Sequence, residues 1–329
     1  MRDRRTHAVR RDEKRRARRA PTGDGPRTLR RTRGPAHLPD AGDQGMPDAG
    51  DHRMPDAGDQ RMIEDVIGDG LYCRLFDQAE RVRWRFDDIA WDRIEHDCVT
   101  PGLVALVREI AFSELTTMTA TRRFLTELSD DVDFTQWIAV WFYEETKHPQ
   151  ALLRWLKQVG VTVNADFIRR GRATAPFMKS RMGTFVTNII SEMVASSAYT
   201  SLARNSPEPV LAVLAQHLAA DEARHAASFF AYGRRQLETS RDVEADRRDA
   251  LKVLFVWFQD NDHVKHPVNE FYSRNEARPE VGATMDTLEF SRAAPRERMF
   301  RLIGELIGIP LDGSSDLVAA LGEAPHETT

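Results

Sequence analysis

Glu145 and His148 stand three residues apart in the stretch EETKHPQ, and Glu222 and His225 repeat that spacing in DEARH. A carboxylate and an imidazole at i and i+3 of a helix leave from one face, so each pair offers one oxygen and one nitrogen to a single cation. Two further acids extend the pattern. Glu114 precedes Glu145 by 31 residues and Glu192 precedes Glu222 by 30, so the order Glu, then Glu-x-x-His, occurs twice at nearly one interval. Four carboxylates and two imidazoles around two divalent cations leave a buried site near neutral. Oxygen plus imidazole suits two iron ions or a mixed iron and manganese pair. Zinc favours four-coordinate sites, and calcium does not use histidine.

These residues need helices to carry them, and the hydropathy pattern supplies four. Ile138, Trp141, Glu145, His148, Leu152 and Trp155 alternate in steps of three and four, the core-facing seam of an amphipathic helix. Leu214, Leu218, Glu222, His225 and Phe229 do the same, as do Ile110, Glu114, Met118 and Thr121, and Ile189, Glu192, Ser196 and Tyr199. Thr100 and Pro101 open the first helix, PGLVALVREIAFSELTTMTATRRFLTEL, read as one segment. The second, FTQWIAVWFYEETKHPQALLRWLKQVG, stops at Gly160. FMKSRMGTFVTNIISEMVASSAYTSLARN forms the third, and SPEP starts VLAVLAQHLAADEARHAASFFAYGRRQLE. No alternating strand competes with them. The fold expected is all-α, a four-helix bundle over residues 100–240 with a helical lead-in over 62–99 and added C-terminal helices over 241–329, the last stretch disordered.

Composition excludes several other classes. With 329 residues and 41% hydrophobic content the chain can bury a sizeable core. Two cysteines, Cys73 and Cys98, cannot form a disulfide framework, which points to a reducing, cytoplasmic setting. No apolar run is long enough for a membrane span. Residues 1–61 differ from the rest: 16 Lys/Arg against 10 Asp/Glu, few large apolar residues, and a tandem repeat PDAGDQGM, PDAGDHRM, PDAGDQRM. The expectation there is a disordered tail, or a start site lying upstream of the true one at Met46, Met54 or Met62. Beyond it acids outnumber bases, so no nucleic-acid partner is expected.

At this level the residues resemble the ferritin-like di-iron carboxylate proteins, and among them the soluble acyl-carrier-protein desaturases. Those carry a Glu, then EENRHG, a second Glu and DEKRH; this chain has Glu114, EETKHP, Glu192 and DEARH over residues 100–240. The resemblance implies Glu114, Glu145, His148, Glu192, Glu222 and His225 as ligands of two iron ions. It implies Asp221 as hydrogen-bond partner of His148, and Trp84 or Trp91 as an extension for electron transfer. It further implies dioxygen, an electron donor such as ferredoxin, an acyl carrier protein and a homodimer. Two positions depart from the desaturase pattern. Pro149 replaces a glycine, and Ala195 replaces a threonine near the oxygen site, with Ser196 on the seam as a substitute hydroxyl.

The remaining polar residues have plainer readings. Glu144 projects about 100° away from Glu145 on a helix and is expected to face solvent. His217 lies off its seam, Met118, Met178, Met182 and Met193 read as core filler, and the run Arg169, Arg170, Arg172, Lys179 and Arg181 reads as a solvated loop, with docking of an acidic carrier protein or phosphopantetheine as the alternative. Two functions remain: an oxygen-dependent oxidoreductase of desaturase or oxygenase type acting on an acyl or other apolar substrate, or a ferritin-like protein that binds or oxidises iron. The helices predicted after Glu238 favour the first, because they could wall an apolar channel past Tyr199 and Phe229. Since nothing in residues 1–61 can join a core, a chain beginning at Met62 is expected to match the full chain in thermal midpoint and bound metal. A drop of several degrees in the midpoint would show the tail to be part of the fold.

Overall fold

The computed structural model describes residues 70–172, 180–258, 266–291 and 295–323. All of them lie in one compact unit, Pro55–Thr329. The repeat tail, Met178 and the C-terminal end fall outside the described residues. Among the described residues every regular element is helical, as the periodicity requires, and none is a strand.

The order is α1 (Leu71–Val82), three short 3-10 turns between Phe86 and Cys98, α2 (Pro101–Glu114), α3 (Thr117–Glu127), α4 (Val132–Gln158) and α5 (Ala165–Gly171). Then come α6 (Arg181–Asn205), α7 (Pro209–Thr239), α8 (Val243–Phe258), α9 (Pro267–Glu276), α10 (Pro279–Thr287), α11 (Arg296–Ile307) and α12 (Ser314–Glu323). Helices α2, α4, α6 and α7 form the bundle: α2 packs on α4, α6 on α7, and α4 on α7. Helices α9 and α10 cover α2, while α8 and α11 back α6 and α7.

Side-chain caps set most starting points. Thr100 accepts from the Leu103 N–H at 3.1 Å with Pro101 at the first helical position, and Asp131 accepts from Phe134 at 3.0 Å. Ser180 caps α6, which therefore begins at Arg181, later than the sequence pattern suggested. At α7 the cap is Glu208 rather than Ser206. Its carboxylate accepts from Val210 and Leu211 and also from the Trp155 indole at 2.7 Å, which pins α7 to α4. Helix α4 continues through Pro149 as one element.

The first bundle helix is not continuous. It ends at Glu114, and α3 restarts at Thr117 after Leu115 and Thr116. The run ELTTMTAT explains the break, because threonine hydroxyls compete for helix carbonyls; Thr117 donates to the Glu114 carbonyl at 3.0 Å. One consequence is that Met118, expected in the core, is exposed.

Below the ligand level the interior is filled by aromatic rings. Trp137 and Phe229 meet edge to face at 4.8 Å, Phe134 and Tyr232 at 5.0 Å, and Phe134 and Phe185 at 5.3 Å. At that end Asp133 ties three helices, accepting from the Tyr232 hydroxyl at 2.8 Å, from Arg235 at 2.7 Å and from the Tyr72 N–H at 3.1 Å. Phe134 has no exposed surface and touches five rings of this cluster. Phe134→Ala is therefore expected to destabilise the protein by about 3–5 kcal/mol, read from its denaturant midpoint, while bound metal per folded chain stays unchanged.

Candidate metal centre

Helices α2, α4, α6 and α7 bring all six predicted side chains to one level of the bundle. They form two overlapping sets. Glu145, Glu192, Glu222 and His225 each present a donor atom within 4.8 Å of the others, and so do Glu114, Glu145 and His148. Glu145 belongs to both, so it lies where a bridging carboxylate would. Glu222 is also placed between the sets, its oxygens 3.2 Å from His148 Nδ1 and 3.6 Å from His225 Nδ1. The imidazoles stack with ring centroids 5.9 Å apart.

Both histidines turn Nδ1 toward this centre and Nε2 away from it. His148 Nε2 lies 3.2 Å from Asp221 Oδ2, and His225 Nε2 lies 3.1 Å from Glu144 Oε2. Each acid directly precedes the glutamate of one motif and reaches the histidine of the other, so α4 and α7 brace each other's ligands. Arg224 joins the braces, donating to Asp221 at 2.7 Å and to Glu144 at 3.1 Å. The Asp221 contact is the one the resemblance implied. Glu144 corrects the expectation of a solvent-facing side chain: it is only 2% exposed. A 100° offset turns a side chain away from the seam but not away from a neighbouring helix, and here α7 is that neighbour.

The donor set fits a pair of cations. Glu145 Oε1, His148 Nδ1, Glu222 Oε2 and His225 Nδ1 are all buried without a well-directed hydrogen bond, and all face the shared space. Buried polar atoms of this kind are costly unless something meets them. Their protonation shows the same tension. Burial, then the Glu222 charge, pushes Glu145 up to about 7, and burial with the charges of Glu222 and Glu145 pushes Glu192 well above the ordinary range. Burial alone would lower His148, but the charges of Glu145 and Glu222 outweigh it and raise it; hydrogen bonding to Glu144, Glu145 and Glu222 does the same for His225. Glu222 is held low despite burial, chiefly by the His148 charge, and Asp221 by its hydrogen bond to His148.

Trp84 comes from the segment before the bundle. Its indole N–H donates to Asp221 Oδ2 at 2.7 Å, which connects it through Asp221 to His148. His217 stacks on Trp84 at 5.5 Å, and Lys147 sits 4.0 Å from the ring centroid while donating to the Trp84 carbonyl at 2.7 Å. Trp91 is one step further out: its indole N–H goes to the Phe86 carbonyl, and Phe86 lies between it and Trp84.

The centre adjoins a cavity of about 100 Å³ that sequence reasoning only partly foresaw. Thr117, Asn188, Ser191 and His266 line it besides Ala195 and Trp141. The Thr117 hydroxyl also lies 3.1 Å from Glu145 Oε2, so the hydroxyl beside the ligands comes from α3. Ser196 does not supply it. Its hydroxyl donates to the Ala219 carbonyl, and with Ser197 it lines a separate cavity against α11. The i, i+4 geometry put Ser196 on the seam, but close packing of α6 on α7 takes that position. Tyr199, as expected, reaches the site, donating to Glu114 at the edge of an apolar pocket of about 50 Å³. Phe229 does not; it is locked in the aromatic cluster.

No protein-family model matches the chain, and no curated protein matches it. Among solved structures it is similar to an R2-like ligand-binding oxidase with an aerobically reconstituted metal cofactor after photoconversion, at a TM-score of 0.51 and 14% identity. The similarity covers 78% of this chain and 98% of that one. The all-α, ferritin-like architecture is thereby shown.

Protons held by the raised groups make the metal-free fold sensitive to base. Glu145 binds a proton in the folded state between its ordinary value of 4.5 and about 7, where the unfolded chain does not, and His148 and His225 extend that window above 6.5. The folded state then carries the excess protons, so stability falls as pH rises through this range. The thermal midpoint of metal-free protein is expected to drop between pH 5 and 8, and added ferrous iron should remove the slope under anaerobic conditions. A midpoint rising over that range without metal would contradict the shared-proton arrangement.

Proposed function

We propose that the chain is a di-metal, oxygen-dependent oxidoreductase that acts on an apolar substrate. The observation that carries this reading is the pair of overlapping carboxylate and imidazole sets sharing Glu145, with four buried donor atoms facing one space beside an apolar pocket. Glu114, Glu145, His148, Glu192, Glu222 and His225 would hold two iron ions, or iron with manganese. When bound, such a pair supplies the redox chemistry that activates dioxygen.

The protein's own groups do the rest. Asp221 and Glu144 fix the rings of His148 and His225 with Nδ1 toward the centre, and Arg224 holds those two acids in place. The Trp84 indole, hydrogen-bonded to Asp221, offers an electron route from outside the bundle, served by a donor such as ferredoxin. The aromatic floor of the bundle keeps water from one side of the centre. An acyl group, presented on an acyl carrier protein as desaturases use it, is one substrate compatible with this reading. The ferritin-like alternative, in which iron itself is the substrate, needs a short polar entrance. The apolar pocket running past Glu114 and Ala195 favours an organic substrate instead.

Iron loaded anaerobically is expected to reach two ions per chain, with His148→Ala and His225→Ala each losing at least one. On adding oxygen, the loaded protein should develop a cluster absorption once per pair of irons, without cycling through excess iron. Repeated turnover of excess iron would establish the ferritin-like alternative, and a single ion unaffected by either alanine would remove the di-metal reading.

A further inference from the structure

The two cavities beside the centre adjoin each other, sharing Ser113, Glu114, Ala195 and Val268. Together they form a short space with different ends. The apolar pocket, about 50 Å³, is walled by Phe271, Tyr272 and Phe290, whose rings contact one another at 5.3–6.0 Å and are almost fully buried. In the other direction Phe124, Phe229 and Trp141 pack against each other, so no tunnel continues down the bundle axis. The space on the metal side, about 100 Å³, includes the volume that two cations would take. For comparison, a cavity of about 150 Å³ holds a benzene ring.

The polar end has its own signature. Trp141 lines the metal-side cavity, is 4% exposed, and its indole N–H is buried without a hydrogen-bond partner. A donor left in that state calls for an acceptor. No Lys or Arg is among the described residues lining either cavity. The one histidine among the described lining residues is His266, whose Nδ1 accepts from the Val268 N–H at 3.3 Å and whose burial pushes it down to about 4, so it stays neutral. In the metal-free protein an anionic group would therefore meet four carboxylates on the cavity lining, with the two nearby imidazoles already engaged by those carboxylates and by Asp221 and Glu144.

We propose that this space binds a compact, uncharged amphipathic molecule, an alcohol, phenol or amide. Its oxygen accepts the Trp141 indole N–H, and an apolar body of at most about six carbons or one ring lies past Ala195 against Phe271 and Phe290. This deepens the oxidoreductase reading by naming the substrate class, and it rests on that reading for its catalytic meaning. It limits any carrier-bound acyl chain to a short one.

Binding can be measured without oxygen or turnover. Full-length protein, metal-free and loaded anaerobically with ferrous iron, would be titrated calorimetrically with phenol, with n-alkanols from butanol to dodecanol, and with the matching carboxylates. Affinity is expected to rise roughly four-fold per added CH₂ up to about hexanol and then level off. In the metal-free protein hexanoate should bind at least about ten-fold more weakly than hexanol, and Trp141→Phe should weaken hexanol about five- to ten-fold. Ala195→Phe should abolish the gain with chain length even if the Trp141 variant fails to fold. A gain continuing to dodecanol, hexanoate binding as tightly as hexanol, or no binding by any probe would overturn the proposal. Because these titrations involve no iron oxidation, failure of the redox reading would appear separately, as loaded iron that does not react with oxygen.

Discussion

The interior of this bundle is organised by the cost of burying charge. Glu145, Glu192, Glu222 and both imidazoles sit at one level with almost no access to water, with Glu114 partly buried beside them, and burial with their mutual charges pushes Glu145 up while Glu222 is held low. Cations solve that problem only if the ligands are already aimed. The aiming is done by Asp221 and Glu144, each reaching from one motif to the histidine of the other, with Arg224 holding both. The helix register of α4 against α7 is thus fixed by the same contacts that orient the site.

The break between α2 and α3 follows from a local competition but has a consequence at the centre. By ending α2 at Glu114 and restarting at Thr117, the chain places a hydroxyl on Glu145 and opens the wall where the cavity lies. Helices α9 and α10 then close the outside of α2, and their aromatic residues form the end of the apolar pocket. A minimal four-helix bundle has no such wall. The extra helices therefore shape the space next to the carboxylate and imidazole cluster as well as enlarging the core.

The segment before the bundle is tied in just as closely. Trp84 hydrogen-bonds Asp221, Lys147 lies over its ring, and His217 stacks on it. These contacts tie the lead-in segment to Asp221 by a hydrogen bond and to Lys147 by a cation–ring contact as well as by packing.

The sequence by itself determined the helical periodicity and the doubled Glu and Glu-x-x-His spacing, because both are properties of one helix read along its own axis. All six clustered side chains were legible for that reason, whereas the Asp221 contact, which joins two helices, was implied only by the family resemblance. What needed the tertiary structure were relations between helices. Glu144 looks solvent-facing by angle from the seam, yet α7 buries it. Ser196 lies on the seam and is turned to other use by the packing of α6 on α7. His266, the Trp141 N–H and the aromatic end wall carry no local signal, since a cavity is the volume left between elements, and only their assembly decides where it lies.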